Sequence, residues 1–226
     1  MENTNIADTQ EDEYQTTAWA LTETGGKFTP IKINRAKAVD HQVNFEILYA
    51  GICHSDVHVG MNDFGNCVYP FVGGHEILGK VTEVGDKVSK VKVGDTVGVG
   101  CFVDACLGCE MCKDGDEQYC MKGMTGTYNG DKKHGNVLGN QTTKTQGGYS
   151  ESHTVHEHFV LKIPDNLPVD KAAPIMCAGI TLYSPINHWG GFKGNKMTIG
   201  VIGIGGLGTM GIKIAKAAGH DVVAIS

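Results

Sequence analysis

An α/β protein, β-rich in its first part and opening a doubly wound parallel sheet towards its end, is predicted by three observations. Glycine is abundant, at 32 of 226 residues, while aromatics make up only 7%, a composition suited to a turn-rich β fold whose backbone often needs positive φ. From Thr16 to Val160 short β-type runs are broken by glycine turns. From Met197 onward an apolar run, a glycine turn, a helical periodicity and a second apolar run follow one another, which is the pattern of a βαβ unit.

Residues 1–13 are polar and acidic, without the apolar or basic stretch of a signal peptide, and are expected to form a disordered tail. The alternation Val43, Phe45, Ile47 and the segment Gly79 to Val84 predict strands of a barrel-like domain. Val91 to Val97 reads as two strand edges around a turn. Three prolines between Lys162 and Pro174 mark a connection, and Ala178 to Trp189 predicts a helix. Met197 to Ile202, Gly206 to Gly219 and Val222 to Ile225 then supply strand, helix and strand. A net charge of −6 with no lysine or arginine cluster excludes nucleic acid and anionic membranes as partners. No apolar run approaches the ~20 residues that span a bilayer, so a cytoplasmic protein is expected. Its eight cysteines are then reduced, and clustered thiols in that setting read as metal ligands or catalytic groups.

Cys106, Cys109, Cys112 and Cys120 have the spacing C-x2-C-x2-C-x7-C, with Gly108 and Gly115 permitting a tight loop. Four thiolates around one centre make a closed, structural zinc site. An iron–sulfur cluster is the rival for such a run, but the Cys-Pro that follows in ferredoxins is absent. Three more candidate ligands are dispersed: Cys53, His75 and Cys177. Each alone is more simply a small buried thiol or a satisfied histidine. Together, two thiols and an imidazole leave a fourth position of zinc open, as in a catalytic site.

The segments GICHSDVH, GGHEILGKVTEVG, VGDTVGVGCFVDACLGCEMCKDGDEQYC, GGYSESHTV and MCAGIT carry a resemblance to the zinc-dependent medium-chain alcohol dehydrogenases, nearest to the cinnamyl alcohol dehydrogenase branch. It runs from Thr16 to Ser226, with one departure at Gly73, where the family usually has proline. The resemblance implies a GroES-like, partly open β-barrel catalytic domain over residues 14–177 with a structural-zinc lobe at 101–120, followed by the first part of a Rossmann domain over 178–226. It implies that Cys53, His75 and Cys177 hold a catalytic zinc and that Glu76 swings in when substrate is absent. Asp56 would accept the free ring N–H of His75, Ser55 would hydrogen-bond the alcohol, and His58 would pass the proton to solvent. His54 and Thr181 would touch the cofactor, and the full-length protein would be a homodimer. His41, His134, His153, His156, His158, His188 and His220 have no ligand-like setting, and Cys67 and Cys101 read as spare thiols.

Gly203, Ile204, Gly205, Gly206, Leu207 and Gly208 give G-x-G-x-x-G between an apolar strand and a helix, the setting in which backbone amides approach a pyrophosphate. About 20 residues past such a loop an acid grips the ribose of NAD. Ser226 falls near that place and leaves room for a 2′-phosphate, so NADP is the expected cofactor. The expected function is zinc-dependent, reversible reduction of aldehydes to primary alcohols, whether allylic, aromatic or aliphatic, with two zinc ions and a small-molecule substrate. The rivals are a reductase of the same fold acting on another carbonyl, which would not need both ligand sets, and a truncated zinc-binding module without turnover. Residues 1–226 alone are expected to hold structural zinc yet not to turn over, because the Rossmann sheet they open is incomplete.

Overall fold

β-Branched and aromatic residues alternate along the strands of the first part, and in the structure, a computed structural model describing residues 13–137 and 143–226, these strands pair antiparallel. In chain order the elements are β1 (Glu13–Ala20), β2 (Thr29–Ala36), β3 (Gln42–Ala50), α1 (His54–Gly60), β4 (Ile77–Val84), β5 (Thr96–Val99), β6 (Phe102–Asp104), α2 (Glu110–Lys113) and β7 (Thr125–Gly126). They continue with β8 (Ser152–His156), β9 (Leu161–Lys162), α3 (Val169–Ala172), α4 (Ala178–His188), β10 (Thr198–Ile202), α5 (Gly206–Ala217) and β11 (Asp221–Ile225). A five-stranded sheet runs in the order β8-β3-β4-β5-β9. Its inner face buries Val43, Phe45, Ile77, Val97 and Val155 almost completely. The β1–β2 ribbon closes over one end, with Trp19 N–H donating to the Tyr149 carbonyl at 2.8 Å and Leu21 exchanging two backbone bonds with Phe71 at 2.9 and 2.8 Å.

The strand β3 shifts register against β4 between Asn44 and Phe45 and again between Ile47 and Tyr49. Because side chains alternate with period two, such shifts re-aim the residues beyond them. Leu48 and Tyr49 come out exposed, lining an apolar groove of about 580 Å³ with Trp19, Phe28 and Ile52.

The later part has the predicted βαβ form, with β10 and β11 parallel in the register Ile199 to Val222. The glycines of its turn have separate causes. Gly203 sits at φ +84, and a Cβ on Gly208 would collide with the Gly203 carbonyl, so α5 can lie this close to β10 only with glycine there. Gly211 brings α5 onto Leu182 of α4 in the same way.

Three expectations need correction. Glu13 is the first residue of β1, because it pairs with Ala36, and the rest of the expected tail lies outside the described residues. Val91 to Val97 does not form two strand edges; only Thr96 onward is strand, since Asp95 folds back to accept Lys92 N–H at 3.1 Å in a turn. The proline-bearing connection after Lys162 contains the helical turn α3, which starts directly after Pro168.

Glu157 pins the loop before β5 to the sheet: its Oε2 accepts Ser89 N–H at 2.8 Å and Lys90 N–H at 2.9 Å, and its Oε1 meets His41 Nδ1 at 2.7 Å. Burial alone would raise its pKa, but these bonds outweigh burial and bring it from 4.5 to about 2. A depressed folded-state pKa contributes stability that is present above the unfolded value and is lost as pH falls through the folded one. Glu157→Gln is therefore expected to cost about 1–3 kcal/mol near neutral pH, with the difference from the parent shrinking between pH 4.5 and pH 2, as read by urea unfolding across that range.

Candidate metal and cofactor sites

Four donors converge where β3 ends, β4 begins and α4 starts. The backbone leaving β3 is tied to the entry of β4 by Gly51 N–H donating to the Glu76 carbonyl at 2.8 Å. Cys53 follows in extended conformation as the N-cap of α1, while Cys177 immediately precedes α4. Gly74, at φ +92 and backed closely by Tyr149, makes the turn that delivers His75 and Glu76. One donor atom each from Cys53, His75, Glu76 and Cys177 lies within 4.8 Å of the others. The Nε2 of His75 is buried without a hydrogen-bond partner. Such an orphaned polar atom is costly unless something binds it.

The protonation chemistry of the group reflects its crowding. Burial raises the Glu76 carboxyl above its ordinary value, against the His75 charge. Burial alone would lower His75, but the Cys177 thiol and the Asp56 carboxylate raise it. Cys177 is itself pushed up, first by a hydrogen bond with Cys101. The Cys101 sulfur lies 4.0 Å from the Met176 carbonyl, next in the chain to Cys177.

Asp56 does not take the role expected of it. Its Oδ1 is 3.9 Å from His75 Nδ1, beyond hydrogen-bond distance, because both its oxygens are held elsewhere. Oδ2 accepts Cys53 N–H at 2.8 Å and Oδ1 accepts Gly74 N–H at 2.8 Å. The partner of His75 Nδ1 is the Tyr128 hydroxyl at 2.8 Å. Sequence reasoning missed Tyr128, since nothing local to it signals a contact with a residue so far back in the chain.

On α1 the Ser55 hydroxyl lies 3.5 Å from the Cys53 sulfur, beside the donor group. The rings of His54 and His58 meet one turn apart, tilted at 49° with 4.7 Å between centroids. His58 Nδ1 is 2.7 Å from Asp63 Oδ2, a second missed residue, which carries the line of polar groups to the surface. His41 and His158 pair with Glu157 and Glu117, and His153 and His220 are buried, all outside the two donor clusters.

The second cluster is local. Cys106, Cys109, Cys112 and Cys120 offer sulfurs that all lie within 4.8 Å of one another. Cys106 to Cys112 is 3.9 Å and Cys109 to Cys112 is 3.5 Å. A tetrahedron with metal–sulfur bonds of about 2.3 Å has edges of about 3.8 Å, so the spacing suits one enclosed ion. Backbone N–H groups support the sulfurs: Cys106 N–H points at Cys120 Sγ at 3.4 Å and Cys109 N–H at Cys106 Sγ at 3.3 Å.

Thr181, Gly203, Gly205, Gly206, Leu207 and Gly208 line one cavity of about 750 Å³ between α4, β10 and α5. Ile204, Ser226 and His54 are not on its wall. Ser226 lies directly after β11. No helix among the described residues is long and apolar enough to cross a membrane.

A family model described as the alcohol dehydrogenase GroES-like domain matches residues 39–165. NADP-dependent alcohol dehydrogenase C 1 of Mycolicibacterium smegmatis is 51% identical over 210 residues, which are 92% of this chain and 58% of that one. A probable mannitol dehydrogenase of Fragaria ananassa is 47% identical over 96% of this chain and 58% of its own length. Among solved structures, a cinnamyl alcohol dehydrogenase of Sorghum bicolor is similar with a TM-score of 0.84 at 42% identity, covering 93% of this chain and 58% of that one. One from Helicobacter pylori, complexed with NADP(H), gives 0.84 at 40% identity over 95% and 59%. The chain thus spans less than two thirds of the length of these relatives.

Gly51 has no room for a side chain: a Cβ there would overlap the Glu76 carboxylate. Gly51→Ala is expected to displace Glu76 and to destabilise the chain by about 1–3 kcal/mol, as overpacking does. Urea denaturation beside Gly200→Ala, where φ is not positive and no atom lies within reach of a new Cβ, separates the clash from the general effect of adding a methyl group.

Proposed function

The chain belongs to the alcohol dehydrogenases with a GroES-like domain, and from that premise we propose that it forms the metal-binding domain, residues 14–177, and the opening of the cofactor domain, from residue 178, of a zinc-dependent oxidoreductase. In this reading the whole protein interconverts primary alcohols and aldehydes with NADP(H). The observation that carries it is the convergence of Cys53, His75, Glu76 and Cys177 around an unpartnered, buried His75 Nε2. Relatives named as NADP-dependent alcohol, mannitol and cinnamyl alcohol dehydrogenases support it.

The donors suit zinc. Two thiols and an imidazole are the borderline-soft set it takes in catalytic sites, with a fourth position for substrate, while the four-thiol lobe has the closed set of a structural site. Cys53, His75 and Cys177 would hold the first ion, with Glu76 as the replaceable fourth donor, and Cys106, Cys109, Cys112 and Cys120 the second. Bound zinc supplies Lewis acidity towards the oxygen of an alcohol or aldehyde, and the nicotinamide supplies or accepts hydride. The chain's own residues do the rest. Ser55, next to Cys53, would hydrogen-bond the substrate hydroxyl and pass on its own proton as it receives the substrate's, and His58, paired with Asp63, would release a proton to solvent. The turn at Gly203 to Gly208, opening α5, would hold the pyrophosphate on backbone N–H groups. Ser226 would accept the 2′-phosphate edge of NADP without repelling it.

Two zinc ions per chain are expected by elemental analysis of protein purified in metal-free buffers. Cys109→Ser should lose one ion and unfold the lobe at 101–120, whereas Cys53→Ser should lose the other, keep the fold by circular dichroism, and abolish turnover of the whole protein. An identical unfolded product from both changes would refute the division of roles. Ser226→Asp in the whole protein is expected to lower the kcat/KM ratio of NADPH to NADH by about tenfold or more, or ~1.4 kcal/mol, because a carboxylate there binds a ribose hydroxyl and repels a phosphate. An unchanged ratio would exclude Ser226 from cofactor choice.

A further inference from the structure

We propose that Tyr128 is a positioning residue for the catalytic metal site: its phenol oxygen accepts the Nδ1–H of His75, which holds the His75 Nε2 lone pair towards the thiols. The proposal rests on the reading of Cys53, His75 and Cys177 as metal ligands and adds to it a residue that reading does not contain.

A neutral imidazole carries one N–H and one lone pair, and only the lone pair can bind a metal. Tyr128 Oη lies 2.8 Å from His75 Nδ1. If the phenol donated to Nδ1, the imidazole proton would sit on Nε2, aimed at Cys53 and Cys177, and the ligand set would be blocked. The phenol must therefore accept from Nδ1–H and send its own proton elsewhere. The buried Asp56 carboxylate, with Oδ1 3.9 Å from Nδ1, is too far to take that N–H itself, which leaves the phenol oxygen as its acceptor.

Tyr128 is also rigidly placed, as a positioning group must be. Its ring stands edge-on to Phe71 at 5.2 Å and 88°. On one side Thr127 N–H donates to the Cys101 carbonyl at 3.1 Å, and on the other Asn129 N–H donates to the Thr145 carbonyl at 2.9 Å. The Asn129 side chain also ties down the Cys67 neighbourhood, donating to the Asn66 carbonyl at 3.1 Å and accepting Val68 N–H at 3.0 Å. This segment leaves the four-cysteine lobe directly after β7, so Tyr128 is the point at which that lobe touches the other donor group.

The test uses the full chain loaded with zinc and, separately, with cobalt(II). Tyr128→Phe keeps the ring and removes the hydroxyl. It is expected to weaken metal binding at the Cys53, His75 and Cys177 site by about 10- to 100-fold in competition with a chromophoric chelator. It should also shift the visible d–d bands of cobalt there, while leaving the four-cysteine ion and thermal unfolding unchanged. A wild-type chain that takes up no metal at that site overturns the underlying reading and this proposal with it. A wild-type chain that does take it up, with a variant that holds it within about twofold and with the same cobalt spectrum, overturns the proposal alone. Should Tyr128→Phe fail to fold, the ¹⁵N shifts of His75 in the wild-type chain with that site emptied decide the matter: Nδ1–H is expected, and Nε2–H overturns the proposal.

Discussion

A buried carboxylate must find hydrogen bonds or lose its charge, and the arrangement of the donor group follows from where Asp56 finds them. Its two oxygens take the backbone N–H groups of Cys53 and Gly74, which lie on separate loops. The cap on α1 and the turn before β4 are thereby locked to one another, and Cys53 and His75 are brought to one place before any ion is considered. Glycine is required on both sides of this lock. Gly51 gives way to Glu76, and Gly74 gives way to Tyr149. Anchored to these two amides, the carboxylate stays 3.9 Å from His75 Nδ1, and His75 turns to Tyr128.

The four-cysteine lobe is held by a different constraint. Its sulfurs are spaced like the corners of a tetrahedron and receive backbone N–H groups, so its small backbone is organised by polarity around a centre. Cys112 and Cys120 are nonetheless buried members of the main hydrophobic cluster, together with Val103 and Ala105. The lobe is therefore an extension of the sheet's core, and its shape is transmitted inward both through those contacts and through the pinned segment 127–129.

Much of this was legible in the sequence where periodicity or spacing is local. The alternation in β3, the βαβ unit and its glycine turn, and the C-x2-C-x2-C-x7-C run all depend on residues within a few turns of one another. The dispersed donors were only weakly marked one by one, since neither Cys53 nor Cys177 has a neighbour that singles it out, and the family resemblance drew them together. The roles of Tyr128 and Asp63 were not legible, because neither contact is marked by a local pattern. The run Val91 to Val97 misled for a related reason. Alternating valines suggest strand, but Asp95 bonds back to Lys92, and a side-chain turn of that kind overrides propensity.

The two donor clusters also differ in when they can come into being as the chain folds. Cys106 to Cys120 closes a short loop, whose entropic cost is small and which a few local turns can complete. Cys53, His75 and Cys177 meet only after β3, β4, β5 and β9 have paired and α4 has docked, and contacts so distant in sequence form late and slowly. Each doubling of a loop adds only about 0.6 kcal/mol of closure entropy, so the delay is one of order more than of stability. An ion available from the start would meet the local cluster first, and the long-range one would remain a set of separated groups until the sheet was essentially complete.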